Sequence, residues 1–306
     1  MSTPIPSAGL LLLDKPLGLS SNAALQRIRR LCGRIKAGHS GSLDPLASGM
    51  LPICLGAATR LAGELLAGRK CYLFTLKLGE RSATGDAEGA IIERRRIPEL
   101  TPAAIEAVLS RHRGAGVQVP PMYSALKRDG RPLYALARAG IEVPREPRPI
   151  RLDALELCAA PDADRLSLRV LCSGGTYVRV LAETLAEELG TCGHVVALRR
   201  TFVEPFEQEP MWSFQALEER LTSGEPLPVL AADRAVSHLP ALELEAGQAL
   251  ALRQGRRVPA AAAPDTLWRL YEAQEFLGLG VTDGQGDLRV RRLFPQVSAA
   301  GAAEGT

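Results

Sequence analysis

Gly38-His39-Ser40-Gly41-Ser42-Leu43-Asp44-Pro45-Leu46-Ala47-Ser48-Gly49 is the stretch whose reading decides this chain. It gathers one carboxylate, one imidazole, three serine hydroxyls and three glycines. Glycine and proline punctuate it too densely for an ordinary helix or strand, so the run is expected to be a loop. Polar, glycine-rich loops between apolar segments are where function tends to sit on a rigid scaffold. On spacing alone, Asp44-Pro45 also fits a helix start, with Asp44 as N-cap and Pro45 at the first helical position. A cap has no need of His39, Ser40, Ser42 and Ser48, which surround a single carboxylate with polar groups.

Upstream, Gly9 to Leu13 reads as a strand after a loose leader of residues 1 to 9. It is closed by Asp14-Lys15-Pro16-Leu17-Gly18. Ser20 or Ser21 then caps a helix that ends near Gly33. Leu25, Ile28 and Cys32 share one face of it, and Arg27, Arg30 and Arg34 another. That basic face fits a solvated surface as well as it fits RNA. Downstream, Leu51 to Leu55 reads as a short buried strand, Ala57 to Ala67 as a helix stopped by Gly68, and Cys71 to Leu78 as a strand. Thr101-Pro102 opens another helix. Leu166 to Ser173 alternates as a strand does, and Gly174-Gly175-Thr176 turns it into a helix that Gly190 ends. Tyr72 and Leu198 sit in apolar segments and read equally well as core residues. Arg179 lies in the first turn of its helix, where a cation opposes the helix dipole. A nearby carboxylate would account for it; so would an exposed surface position.

The chain has 306 residues, a formal charge of +3, 46% hydrophobic and 23% charged residues. These values fit one large or two smaller globular domains and argue against a mostly disordered chain. So small a net charge gives little support for a nucleic-acid partner unless the basic residues cluster. The six cysteines form no CxxC pair and no zinc spacing, and are expected to be buried free thiols in a reducing compartment. The apolar Leu10 to Leu13 is too short for a signal sequence, and no segment has membrane-spanning length. The cytoplasm is the expected location.

The opening run resembles the catalytic loop of the tRNA pseudouridine-55 synthases (the TruB family), whose pattern is close to G-H-T-G-[ST]-L-D-P-L-A-[ST]-G. Ser40 stands in place of the usual Thr. Cys172-Ser173-Gly174-Gly175-Thr176-Tyr177-Val178-Arg179 is similar to the family's C-S-x-G-T-Y-[IV]-R motif, with Gly174 where many relatives have Lys. Pro120-Pro121-Met122-Tyr123-Ser124-Ala125-Leu126-Lys127 resembles an element of the family's RNA-gripping insertion, here about residues 120 to 150.

The resemblance implies an α+β pseudouridine synthase fold over residues 10–238, with a mixed sheet and a central cleft. A small β-rich, PUA-like RNA-binding domain would follow over 240–296, and then a disordered tail, 297–306. It further implies isomerisation of uridine to pseudouridine in the T-loop of tRNA, at position 55, on a flipped nucleotide. The glycosidic bond from N1 breaks, the ring turns, and C5 bonds to the same sugar carbon. Nothing is oxidised and no group is imported, so neither cofactor nor metal is expected. Asp44, Arg179 and Tyr72 are carried over as catalytic. His39, Lys15, Tyr177, Leu198 and Lys127 are carried over as substrate or RNA contacts. Whether the carboxylate attacks covalently or removes a proton from the sugar stays open. The expected partner is tRNA, met by a monomer that needs no protein partner and no membrane. Competing readings are a guide-dependent synthase with another RNA target, an RNA-binding folding factor, and an unrelated carboxylate-dependent hydrolase. The hydrolase would need a second acid, a base or a metal that the sequence does not offer.

Overall fold

A computed structural model describes residues 8–159 and 162–294. The leader up to residue 7 and the tail 297–306 lie outside the described residues. The chain builds a mixed sheet in the order Ala8–Lys15, Ala47–Gly56, Gly193–Val203, Lys70–Leu78, Arg165–Cys172, Arg148–Leu157, Gly114–Gln118. The short strand Ala37–His39 adds to Ala47–Gly56. All pairings are antiparallel except one, where Gly193–Val203 runs parallel to Ala47–Gly56 with Leu198 opposite Ala47 and Arg200 opposite Gly49.

Ala8–Lys15 reads as a continuous apolar run because both of its faces are buried. Leu11 and Leu13 join one core cluster, with Ile28, Ile53, Leu181 and Leu185. Leu10 and Leu12 join another, with Met50, Leu61 and Phe206. Successive strand side chains point to opposite faces, so a strand covered on both sides needs apolar residues at every position. The helix Ser21–Leu31 starts where expected, with the Ser20 side chain accepting from the Ala23 N–H. Arg27 on its basic face is spent on packing: it bonds Glu218 at 2.7 Å and lies 4.2 Å from the Phe214 ring centroid. Thr101 caps Pro102–His112, and Val178–Glu188 ends before Gly190 in the left-handed region.

Three local expectations are corrected. The opening run is a loop only in its middle: Ala37–His39 and Ala47–Gly56 carry its two ends into the sheet. No helix follows Asp44; the chain makes a turn in which the Ala47 N–H donates to the Asp44 carbonyl at 3.0 Å. Ala57–Ala67 divides into a 3-10 segment, Ala57–Leu61, and a helix, Ala62–Ala67. The Thr59 hydroxyl donates to the Gly56 carbonyl at 2.8 Å and tightens that first turn.

The C-terminal part forms its own five-stranded sheet, ordered Ala241–Glu243, Leu267–Glu272, Glu275–Thr282, Asp287–Leu293, Val258–Pro259. The helix Ala246–Arg253 leads to the two-residue strand Val258–Pro259. Leu244, Leu252, Leu270 and Leu288 make its core. Leu279 belongs instead to the cluster containing Leu61 and Leu65, so the two parts share apolar packing. Tyr271 donates to Asp233 at 2.7 Å, and Arg291 meets Glu64 at 3.4 Å across the same junction. Among the described residues, no helix is long and apolar enough to cross a membrane.

Candidate active site

The loop from Ser40 to Leu46 is held in place from several sides. The Ser21 hydroxyl, at the start of its helix, accepts from the Leu43 N–H at 2.7 Å and donates to the Leu43 carbonyl at 2.9 Å. Pro45 accepts from the Gly18 N–H at 2.8 Å. Gly49, at φ 100°, starts the outgoing strand against Arg200, and a Cβ there would lie 2.1 Å from the Arg200 carbonyl oxygen. Only glycine permits both that backbone and that approach. The loop serines do not serve the carboxylate as their spacing suggests. Ser40 is buried and donates to the Ala62 carbonyl at 3.0 Å, while Ser48 faces Arg199.

The loop delivers Asp44 to Arg179, with Oδ2 and Nη2 3.0 Å apart. Arg179 is 6% exposed and fully engaged. Nη1 donates to the Thr84 carbonyl at 2.8 Å and lies 3.6 Å from Asp86 Oδ2; Nη2 also donates to the Tyr123 carbonyl at 2.7 Å. The buried Asp86 is steadied in turn by the Thr84 hydroxyl at 2.5 Å and the Glu88 N–H at 3.1 Å. Arg179 is therefore no surface cation. Three distant stretches of chain meet on one guanidinium, and its fixed fork sets the orientation of Asp44.

Asp44 lies at the mouth of a cleft of about 510 Å³. Its side chain is 41% exposed on the open side, and protein crowds the carboxyl elsewhere. Burial pushes its pKa above the ordinary aspartate value; the Arg179 and Lys15 charges oppose that rise, and Asp86 adds to it. His39, Tyr72, Tyr177, Arg179 and Leu198 line the same cleft. The Tyr177 backbone is clamped by Gln118, which accepts from its N–H at 2.8 Å and donates to its carbonyl at 3.1 Å. Burial and the Arg200 charge lower the His39 pKa, so this imidazole is neutral at pH 7.

Two of the carried-over contacts sit elsewhere. Lys15 is fully buried, and its ammonium donates to the Pro16 and Leu19 carbonyls at 2.9 and 2.7 Å, behind the lining of the cleft but near enough for its charge to act on Asp44. Burial lowers its pKa to about 8. Lys127 lies outside the cleft, exposed on the small hairpin that pairs Lys127–Arg128 with Arg131–Pro132. Gly174, where many relatives have Lys, is closely packed. A Cβ there would stand 2.5 Å from the Leu66 carbonyl oxygen, so the main chain packs on the end of Ala62–Ala67, and a side chain at 174 has no room.

Sequence reasoning passed over Asp86, Lys70 and Arg200. Lys70 and Arg200 line the cleft. A signal for Arg200 was present: it shares strand parity with Leu198, so a charge falls on the inward face of an apolar strand. Among the described residues, no group of three or more His, Cys, Asp or Glu side chains is arranged to hold a metal ion.

The fold and the cleft define a class. The structure superimposes on a solved H/ACA RNP bound to a substrate RNA containing 2′-deoxyuridine with a TM-score of 0.72, at 22% identity over 95% of this chain and 86% of that one. A Cbf5-Nop10-Gar1 complex gives 0.71, at 24% identity over 93% and 84%. The fold is shared with both of these assemblies. The sequence narrows this further. Residues 29–178 match the N-terminal domain of the TruB family pseudouridylate synthases, 179–228 the tRNA pseudouridylate synthase B C-terminal domain, and 240–294 the C-terminal domain of pseudouridine synthase II TruB. The tRNA pseudouridine synthase B of Aromatoleum aromaticum is 48% identical over 95% of this chain and 94% of its own length. That of Chromohalobacter salexigens is 44% identical over 96% and 97%. The chain belongs to the TruB family of pseudouridylate synthases, isomerases that convert uridine in tRNA to pseudouridine.

Proposed function

We propose that the chain isomerises the T-loop uridine at position 55 of tRNA, with Asp44 as the reacting carboxylate and without a cofactor. The observation that carries this reading is the 3.0 Å pair of Asp44 with a buried Arg179 at the mouth of the cleft. Arg179 holds the carboxylate ionised against the effect of burial and aims it toward bound substrate. The uracil ring of a flipped nucleotide lies between Tyr72 and Leu198, and the neutral His39 occupies the gap it leaves in the RNA stack. Tyr177 borders the sugar.

The reaction runs in balanced steps. The C1′–N1 bond breaks, and its electron pair leaves with the ring. Asp44 meets the electron-deficient sugar, either by bonding to C1′ or by taking the C2′ proton. The ring turns, and C5 supplies the electron pair of the new C1′–C5 bond as Asp44 either leaves C1′ with its own electron pair or gives the proton back to C2′; C5 then loses its proton, and N1 gains one. The insertion near residues 120–150, with Lys127, grips the RNA backbone. The segment 10–238 acts as the catalytic unit and 240–296 as an accessory RNA-binding unit. The protein works in the cytoplasm as a monomer, since the site is completed within one chain.

Tritium release from tRNA carrying 5-tritiated uridine tests the reading. The parent protein should release tritium from position 55, and Asp44→Asn should release none while still binding tRNA. Retained turnover in Asp44→Asn would remove the carboxylate from the reaction. Bound tRNA without release by either protein would favour a folding factor or another RNA target.

A further inference from the structure

Among the described residues Arg200 is the largest fully buried side chain, 1% exposed, and it lines the cleft. It stands directly across the sheet from Tyr72 and two residues beyond Leu198, so these side chains share the cleft-facing side of the sheet. Nε donates to the Met50 carbonyl at 2.7 Å and Nη2 to the Gly41 carbonyl at 2.9 Å. Among the described residues, no carboxylate lies within ion-pair distance of Arg200. The same holds for Lys70, whose ammonium donates to the carbonyls of Leu65, Leu66 and Gly68 at 3.3, 2.6 and 2.5 Å. Burial, reinforced by the Arg200 charge, lowers the Lys70 pKa to about 8. The acids of the site, Asp44 and Asp86, both engage Arg179 instead. The cleft is thus polarised: Asp44 is paired with Arg179, while Lys70 and Arg200 line it with no carboxylate in ion-pair contact, Glu204 acting on Lys70 only from a distance. Buried unpaired charge is costly to a fold. Maintained beside an active cleft, it is suited to negative charge that appears only during reaction.

The reaction creates such a charge. When the C1′–N1 electron pair leaves with the ring, the detached uracil is an anion, with its charge spread over N1, O2 and O4. It stays charged until C5 returns the electrons to C1′ and the ring proton is exchanged.

We propose that Arg200 supplies the positive charge that stabilises this departed uracil anion, a role separate from that of Asp44 and Arg179 at the sugar. The proposal rests on the reading of the cleft as the reaction site. Two hydrogen bonds to main-chain carbonyls leave the guanidinium charge intact and fix its position, the condition under which electrostatic stabilisation needs no rearrangement during the reaction.

The test compares Arg200→Gln and Arg200→Lys with the parent, in single-turnover assays on tRNA carrying uridine or 5-fluorouridine at the target position, each read as formation of the C1′–C5 bond, because fluorine at C5 blocks the proton loss that follows. Fluorine acidifies the ring, so its anion needs less help. Arg200→Gln should lose about 10²–10³-fold in rate on uridine, with tRNA affinity unchanged. Its loss should be at least about tenfold smaller on 5-fluorouridine, and Arg200→Lys should recover most of the uridine rate, since both results follow charge on the leaving ring. Equal losses on the two substrates, or a loss confined to tRNA affinity, would overturn the proposal in favour of a structural role. Should Arg200→Gln fail to fold, Arg200→Lys decides: a folded Lys variant with native affinity and a lost rate would mean that the hydrogen bonds matter and the charge does not. Asp44→Asn is run beside them. Turnover by that variant would remove the reading of the cleft and this proposal together. An inactive Asp44→Asn beside an unimpaired Arg200→Gln would remove this proposal alone.

Discussion

At the scale of single residues, the site is governed by how burial and neighbouring charge divide over Asp44. Burial raises its pKa, and Arg179 is the main force against that rise. In the proposed reaction Asp44 acts in its ionised form, so the rate should fall as pH drops through a midpoint above the ordinary aspartate value of 3.8. Removing the opposing cation lets burial act unchecked. Arg179→Ala should therefore move the acid limb of kcat/KM to higher pH and lower kcat by about 10²–10³-fold, with tRNA affinity nearly unchanged. A pH-rate profile superimposable on the parent's would contradict the pairing. Lys70 gives a prediction for stability. Its folded pKa of about 8 lies below the ordinary lysine value of 10.5, so between those limits the unfolded chain binds more protons than the folded one. The parent should gain stability relative to Lys70→Met as pH rises from 8 to 10.5, read as the difference in urea midpoints. A constant difference across that range would show that the ammonium is not held at a cost.

At the scale of elements, the outgoing strand of the loop and the insertion carry the sharpest expectations. Gly49→Ala forces a Cβ into the Arg200 carbonyl, so the one parallel pairing of the sheet must part. A loss of about 3 kcal/mol or more is expected in urea unfolding, together with loss of turnover. The insertion is more than an excursion, because its Tyr123 carbonyl is a partner of Arg179. Its charged tip can be tested without disturbing that base. Replacing Lys127, Arg128 and Arg131 by Ala should weaken tRNA binding and flatten its salt dependence by roughly 0.7–0.9 log units per lost phosphate contact. An unchanged slope would take the hairpin out of the RNA interface.

The same elements show what sequence could and could not disclose. Leu166 to Ser173 alternates and is a strand; Thr101-Pro102 and Gly190 mark helix ends because those signals act within a few residues. Asp44, Arg179, Tyr72, Tyr177, His39 and Leu198 were legible through motifs, and they meet at one cleft. Asp86, Lys70 and Arg200 were not, because their roles exist only after distant strands pair. Local chemistry also misled. Ser40 and Ser48 look like companions of Asp44, yet their hydroxyls answer to Ala62 and Arg199. Gly174 departs from the motif, and its main chain packs on the Leu66 carbonyl, where no side chain has room.

At the scale of the whole molecule, the C-terminal part is joined to the catalytic part by a shared apolar cluster and by polar ties at Asp233 and Glu64. Ending the chain at residue 239 would bare the Leu61 and Leu65 surface. The shortened protein should melt several degrees lower and bind a hydrophobic dye, besides losing affinity for tRNA. A melting temperature equal to the parent's would show the two parts to be independent.

The bond from Arg200 to the Gly41 carbonyl spans 159 residues. At roughly 5–20 residues per second, synthesis delivers the Gly41 loop about 10–30 s before the strand that secures it. For most of that interval Asp44 has neither Arg179 nor a cleft floor. A nascent chain is therefore chemically silent until most of its catalytic half has been made. The order of manufacture itself keeps an unfinished enzyme from acting on the tRNAs that surround it on the ribosome.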